Sequence, residues 1–322
     1  MLDERCSGAD LSPADHVSVV LPYHNRAATL ADAVQSVLSQ SHEILTLYLI
    51  NDGSTDGGEE IVRAIDDQRI VHVDLAENQG AAHARNVGLS RAHTSLIAFM
   101  DSDDIWLPRK LQIQIQSLRR WQQQGISVSV VGCGWTYLGS DTPPTTFSVG
   151  PFSRLDVLSN RVPGMGTPKL LIDRSRAVSN ARFDETFPSL EEGDYVMSCL
   201  ANGTNIMVVP DVLLEVRRGL KDHMGSSRLT ALGWEAYLDK YSDEMADYPA
   251  LVAWYSFRAA RDHLKSRDIV RALDRIPLAL SRERVRRTLH LVLGVIGGRG
   301  GLAVAQKVLN ATRPPELEGG EG

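Results

Sequence analysis

Over its first 130 residues the chain alternates apolar runs of strand length with segments of helical periodicity, and this rhythm restricts the fold more than any other feature. Val17–Leu21, Leu45–Ile50, Ile70–Leu75, Ser95–Met100 and Ser127–Val131 are predicted strands. Ala27–Gln40, Gly57–Ile65, Ala81–Ala92 and Pro108–Gln124 are the predicted helices between them, with Asp56 as N-cap of the second. The strands are apolar almost throughout, as a parallel sheet covered on both faces requires. The expected class is α/β, a mostly parallel sheet flanked by helices.

Four of these strands end in polar clusters. The first ends in Pro22-Tyr23-His24-Asn25 and the second in Asn51-Asp52-Gly53-Ser54-Thr55-Asp56. The third is followed by Glu77-Asn78-Gln79-Gly80 and then by a helix carrying His83, Arg85 and Asn86. The fourth ends in Asp101-Ser102-Asp103-Asp104. Parallel strands bring such ends to one edge of the sheet, where open α/β folds bind ligands. Three carboxylates this close repel one another unless a cation lies among them. Oxygen donors of this kind suit Mg²⁺ or Mn²⁺, held by one or two carboxylates together with substrate phosphates. The same cluster also reads as a cap for the helix beginning near Pro108. Asp52 has the chemistry to accept from a base N–H, Arg85 to contact a diphosphate, and Asp101 to accept from a ribose hydroxyl.

Composition narrows the classes. Charged residues make up 23% of the 322 and hydrophobic ones 43%, enough for a sizeable core. A net charge of −6 argues against nucleic acid as a partner. Three widely spaced cysteines give neither a disulfide framework nor a CxxC metal pattern, so a cytoplasmic setting is expected. There is no P-loop, no GxGxxG after the first strand and no GxSxG elbow.

The motifs PYHN, NDGSTDG, ENQGAAHARN and MDSDDIWLP, in this order, resemble the family 2 glycosyltransferases with a GT-A fold. The resemblance covers about residues 15–220. It implies a UDP-sugar donor, inversion at the anomeric carbon and a Mn²⁺ or Mg²⁺ ion. It implies donor contacts from Pro22, Tyr23, Asn25, Asp52, Asn78, Arg85, Asp101 and Ser102. Metal contacts would come from Asp103, Asp104 and His223. The family's base lies in a Glu-Asp pair on a later helix. Ser189-Leu190-Glu191-Glu192-Gly193-Asp194 aligns there, so Glu192 stands where Asp is usual, with Glu191 and Asp194 as substitutes. The same three acids also read as first-turn charges stabilising their helix. Val216 replaces the aromatic of a downstream family segment that leads through Arg217-Arg218 towards His223.

The remaining chain is expected to be organised around that catalytic region. Residues 1–15 form a flexible N-terminus. Residues 16–225 form the GT-A domain, with a nucleotide-sugar half 16–132 and an acceptor half 133–225. Residues 226–312 form a helical C-terminal region, followed by a disordered tail, 313–322. Within 258–299 there are eleven Lys and Arg against four Asp and Glu. Arg282–Arg287 precedes the apolar run Leu289–Gly298, which suits peripheral contact with an anionic membrane or, alternatively, an arginine-rich solvated face of a helical subdomain. The expected function is transfer of a hexose, glucose-type, to a saccharide or lipid-linked saccharide in exopolysaccharide or lipopolysaccharide synthesis. The alternatives are a nucleotide-sugar-binding protein without catalysis, or a sugar nucleotidyltransferase.

Overall fold

A computed structural model describes residues 15–43, 45–140, 149–162, 165–217 and 227–279. The chain divides into two compact units. One comprises Met1–Leu158, Val162–Glu185 and Glu192–Leu220; the other comprises Ser159–Arg161, Thr186–Glu191 and Lys221–Gly322.

The first unit is built on one eight-stranded sheet. Its strands are β1 (Val17–Tyr23), β2 (Leu45–Asp52), β3 (Ile70–Leu75), β4 (Leu96–Phe99), β5 (Ile105–Trp106), β6 (Val128–Tyr137), β7 (Leu171–Asp173) and β8 (Asn205–Val216). They lie in the order β3-β2-β1-β4-β7-β6-β8-β5. β3, β2, β1 and β4 run parallel, and β7 is antiparallel to β4. β6 runs antiparallel to β7 and parallel to β8, with β5 antiparallel on the far edge. All seven residues of β1 are buried, which explains its unbroken apolar sequence. The chain leaves β1 towards β2 on one side and returns to β4 on the other. This reversal opens a crevice at the carboxyl ends of the strands.

Helices α1 (Ala27–Leu38), α2 (Gly58–Arg63), α3 (Ala81–Arg91) and α4 (Lys110–Gln123) alternate with the strands as the periodicity predicts, with ends trimmed by one to two residues. α1 buries Leu30, Ala33, Val34, Val37 and Leu38. Gly57, not Asp56, occupies the N-cap of α2. Asp56 nevertheless caps with both oxygens: Oδ1 accepts the Gly58 N–H (3.0 Å) and Oδ2 the Ala27 N–H (2.7 Å). One carboxylate thus ties the first turns of two helices. The short helix α5 (Arg154–Leu158) and helix α6 (Glu191–Cys199) follow.

α3 lies on β1 with a glycine at the contact. A methyl at Gly88 would fall 2.3 Å from Val20 Cγ1. Gly88→Ala gains about 1 kcal/mol of helix propensity but forces that overlap. We expect a net loss of about 1–3 kcal/mol in urea unfolding, since overpacking a filled core costs that much.

The predicted strand Ser127–Val131 falls short of the observed one, and a long eighth strand follows it in the sheet. β6 runs on through Gly132–Tyr137, and β8 runs on across Pro210 and Asp211 to Val216. Both segments contain residues that usually break strands. Register shifts around Cys133, Gly134 and Trp135 let the ladder skip from Val209 to Val212, so Pro210 never has to donate.

The second unit is helical: α7 (Ser227–Lys240), α8 (Ser242–Met245), α9 (Pro249–Lys265) and α10 (Ile269–Ala279). Trp234, Tyr237, Trp254 and Tyr255 form its aromatic centre, and Trp234 Nε1 donates to Asp262 Oδ2 (3.2 Å). Among the described residues no helix is long and apolar enough to cross a membrane. The segment 282–298, His223 and the tail 313–322 lie outside the described residues.

Candidate functional site

The Asp101–Asp104 turn is fixed at both ends, because it connects β4 to the two-residue strand β5 and β5 pairs with β8. It does not cap α4: the N-cap position there is Arg109, and no side chain caps it. The cap reading is therefore corrected. The strand-to-helix connection holds an extra strand, which moves the helix start beyond reach of the acids.

The four residues of the turn have different surroundings. Asp101 Oδ1 accepts from Arg85 Nη2 (3.0 Å) and from Thr167 Oγ1 (3.2 Å). Ser102 is buried, and its carbonyl accepts from Thr29 Oγ1 (2.9 Å). Asp103 Oδ2 lies 3.9 Å from Arg26 Nε. Asp104 is 5% exposed and accepts the Arg217 N–H through Oδ1 (3.1 Å). Burial, and then the neighbouring charges of Asp101 and Asp103, push its carboxyl up to about 8. Arg217 also reaches the Asp103 carbonyl with Nε (3.2 Å) and Asp32 with Nη2 (3.2 Å), so one arginine ties the end of β8 to the turn.

The other strand ends meet the same edge. Asp52 is 3% exposed, and its two oxygens accept the backbone N–H groups of Gln79 (2.8 Å) and Gly80 (2.9 Å). It anchors the segment that carries Asn78, which is itself exposed. Gly53, at φ +65°, lets this segment approach: a methyl there would lie 2.7 Å from the Asn78 nitrogen. Asn25, at φ +51°, accepts the Thr55 N–H through Oδ1 (2.8 Å) and donates its own N–H to Ser54 Oγ (3.2 Å). His24 Nδ1 donates to the Asp52 carbonyl (2.7 Å). Pro22 and Tyr23 are buried, and burial with the charges of Asp74 and Glu59 raises the Tyr23 phenol above its usual range. The structure thus joins β1 to β2 through Asn25, and α3 to β4 through the Arg85–Asp101 pair.

The acidic helix has a graded exposure. Glu191 is 4% exposed and Asp194 fully buried, whereas Glu192 is half-buried. Glu192 shares its surroundings with Lys169 in the 3₁₀ turn Thr167–Lys169. Burial pulls the Lys169 ammonium down, and the charges of Cys133, Asp104, Glu192 and Asp101 oppose this, so these acids lie within electrostatic reach of one ammonium.

The segment before that helix is held by α3. Asn86 Nδ2 donates to the Phe183 carbonyl (2.9 Å) and to Glu185 Oε1 (2.7 Å), while Oδ1 accepts the Phe183 N–H (3.0 Å). His83 Nδ1 sits 3.0 Å from Glu185 Oε2. The Phe183 ring stacks on Tyr195 at 4.2 Å and carries the Arg85 guanidinium at 5.4 Å. Asn86→Ala leaves a buried backbone N–H and C=O unpaired. We expect it to cost about 1–3 kcal/mol in urea unfolding and to open the 182–185 segment to limited proteolysis.

Among the described residues no three His, Cys, Asp or Glu side chains come together as a metal cage. A divalent ion at a diphosphate needs only one or two carboxylates, with phosphate oxygens completing the shell. Asp101 and Asp103 fit that mode as hard oxygen donors at the strand end. Asp104 has another occupation, since it is buried beneath the Arg217 amide.

Lys169, Arg217 and Asn86 contact or adjoin the candidate site residues, and the sequence reading assigned them no role. Lys169, in the Thr167–Lys169 turn, carries no motif that marks it in the sequence. Arg217 belongs to a family segment whose alignment is loose. Asn86 stands in the quoted ENQGAAHARN motif, and that position was its one available signal.

Comparison with known proteins adds an independent line. Residues 18–169 match the sequence family described as Glycosyl transferase family 2. A protein of Bacillus subtilis (strain 168) named for teichuronic acid biosynthesis, the glycosyltransferase TuaG, is 37% identical over 165 residues, 50% of this chain and 63% of its own. The Escherichia coli UDP-Glc:alpha-D-GlcNAc-diphosphoundecaprenol beta-1,3-glucosyltransferase WfgD is 37% identical over 102 residues, 32% of this chain and 40% of its own. The chain thus spans less than two thirds of the length of these relatives. In fold it resembles S. aureus TarS 1-349, solved in complex with UDP-GlcNAc, at a TM-score of 0.64 and 17% identity over 91% of each chain.

Proposed function

We propose that this chain, whose residues 18–169 match glycosyl transferase family 2 and whose fold is that of GT-A enzymes, is an inverting, metal-dependent hexosyltransferase. It moves a glucose-type hexose from a UDP-sugar to a lipid-linked saccharide in cell-surface polysaccharide synthesis. The observation that carries this reading is the junction of Asp101, Arg85 and Thr167 at the end of β4, with Glu192 sharing the Lys169 environment beside it. A nucleotide-sugar site and a candidate base thereby fall at one crevice. The glucosyl donor and the lipid-diphosphate acceptor are the ones in the name of WfgD. TuaG, named for a cell-wall polymer, supports the polysaccharide setting.

The chemistry is a single displacement. Glu192 takes the proton of the acceptor hydroxyl as that oxygen bonds to the anomeric carbon, and the bond from that carbon to the β-phosphate oxygen breaks on the opposite face. Glu192 suits the base role better than Glu191 or Asp194, because both of those are buried. Arg85 holds Asp101, and Asp52 holds the loop bearing Asn78, so both donor walls are preorganised. A Mn²⁺ or Mg²⁺ ion held by Asp103 with Asp101 would offset charge on the departing diphosphate.

The test is a panel of UDP-sugars with Mn²⁺ and a polyprenyl-diphosphate N-acetylglucosamine acceptor. UDP and an elongated glycolipid should appear in equal amounts, most rapidly with UDP-glucose. UDP binding without transfer from any donor would replace this reading with that of a binding protein. Pyrophosphate release from a sugar phosphate and UTP would replace it with a nucleotidyltransferase.

A further inference from the structure

Lys169 is an energetic anomaly in this fold. Its side chain is 8% exposed. Among the described residues its ammonium has no hydrogen-bond acceptor, and it lies over the face of Trp135, 4.6 Å from the ring centroid. A cation–π contact offsets part of the desolvation but leaves three N–H donors without acceptors. The Trp135 ring carries a buried donor of its own, for its Nε1–H lacks a hydrogen-bond partner among the described residues. Lys110, the other buried lysine, is a useful contrast. It too lies over an indole, Trp106, at 4.1 Å, yet it donates to Gln114 Oε1 at 2.8 Å. Among the described residues, then, the Lys110 ammonium has an acceptor and the Lys169 ammonium has none.

An unpaired buried donor is costly, and the Trp135 Nε1–H, beside an ammonium with no protein acceptor among the described residues, points to an acceptor that arrives with a ligand. The crevice lies next to Lys169: Thr167, two residues before it, bonds Asp101. We propose that Lys169 and the Trp135 indole N–H form a binding subsite for a phosphate oxyanion of the substrate. The subsite rests on the reading of the protein as a UDP-sugar transferase using a lipid-diphosphate acceptor, and two phosphates qualify. One is the donor's β-phosphate, at the Asp101 turn that Thr167 touches. The other is the lipid diphosphate of the acceptor.

The test compares Lys169→Met and Trp135→Phe with the wild-type protein at fixed Mg²⁺. Binding of UDP and of inorganic pyrophosphate is measured by calorimetry. KM is measured for donor, for a polyprenyl-diphosphate saccharide and for the same saccharide without phosphate. Lys169→Met should lose roughly ten- to hundredfold in affinity for one phosphate source, the size expected for a charge-assisted hydrogen bond. Trp135→Phe keeps the ring and should lose less. Weaker UDP and pyrophosphate binding with an unchanged acceptor KM assigns the donor. A raised KM confined to the phosphate-bearing acceptor assigns the acceptor. Thermal unfolding separates ligand binding from a structural role. Lys169→Met removes a desolvated ammonium that has no hydrogen-bond partner among the described residues and keeps the bulk of the side chain, so it should melt close to the wild-type temperature. Two results would overturn the subsite: unchanged affinities and KM values in Lys169→Met, or a lowered melting temperature with losses spread over every ligand. If the wild-type protein binds UDP and transfers sugar while Lys169→Met does so equally well, the subsite fails and the transferase reading stands. If the wild-type protein binds neither UDP nor pyrophosphate, both fail.

Discussion

Asp103→Ala will lower sugar transfer by about a thousandfold, with the fold intact. The magnitude follows from several kcal/mol of charge stabilisation that a divalent ion supplies at a diphosphate, about 1.4 kcal/mol for each factor of ten. Asp103 is singled out by what its neighbours do. Asp101 binds Arg85 and Thr167 through one oxygen. Asp104 is buried under the Arg217 amide, with its carboxyl pushed up to about 8, which keeps it largely protonated near neutrality. Asp103 Oδ2 lies 3.9 Å from Arg26 Nε, an ion-pair distance at which a metal ion can compete for the carboxylate. Its removal also takes one negative charge from a cluster that repels itself, so thermal unfolding should be unchanged or move upward. Higher Mn²⁺ should restore part of the activity, and UDP binding without metal should be unaffected. Wild-type turnover by Asp103→Ala would remove the metal assignment.

Glu192→Gln is the second large effect. The substitution keeps size and hydrogen-bonding capacity but cannot take up a proton. General-base help is typically worth about 10²–10⁴-fold, so kcat should fall by that factor while KM for the UDP-sugar stays within about threefold. Glu192→Asp, one methylene shorter, should recover part of the rate. The expected split between kcat and KM is what distinguishes a base from a residue that only shapes the donor site. Unaltered kcat in Glu192→Gln would pass the base role to Glu191 or Asp194, and their burial would then require a local opening before reaction.

The nucleotide half of the fold is legible in the sequence because parallel strands buried on both faces leave continuous apolar runs, as in Val17–Tyr23. The polar residues that end each run then mark the ligand edge without further help. The other half is harder to read for a physical reason. Gly132, Gly134 and Pro210 look like strand breakers, yet register shifts between β6 and β8 absorb them, and β5 is only two residues long. Candidate site residues divide in the same way. Asp52, Arg85 and Asp101 announce themselves by standing at strand ends or in a dense polar motif. What each one touches is a tertiary fact: Asp52 holds the backbone of Gln79 and Gly80, and Arg85 reaches Asp101. Lys169 has no local signature at all. A lysine two residues after a threonine reads as surface until the fold buries it over Trp135.

The central claim is that one crevice holds a UDP-sugar donor and delivers its hexose to a lipid-linked saccharide with inversion. The most direct measurement is the anomeric configuration of the product formed from α-linked UDP-[¹³C]glucose and polyprenyl-diphosphate N-acetylglucosamine, read by NMR alongside UDP release. The account predicts a β-glycoside formed in one-to-one ratio with UDP. An α-glycoside, or UDP released with no glycolipid, would contradict it.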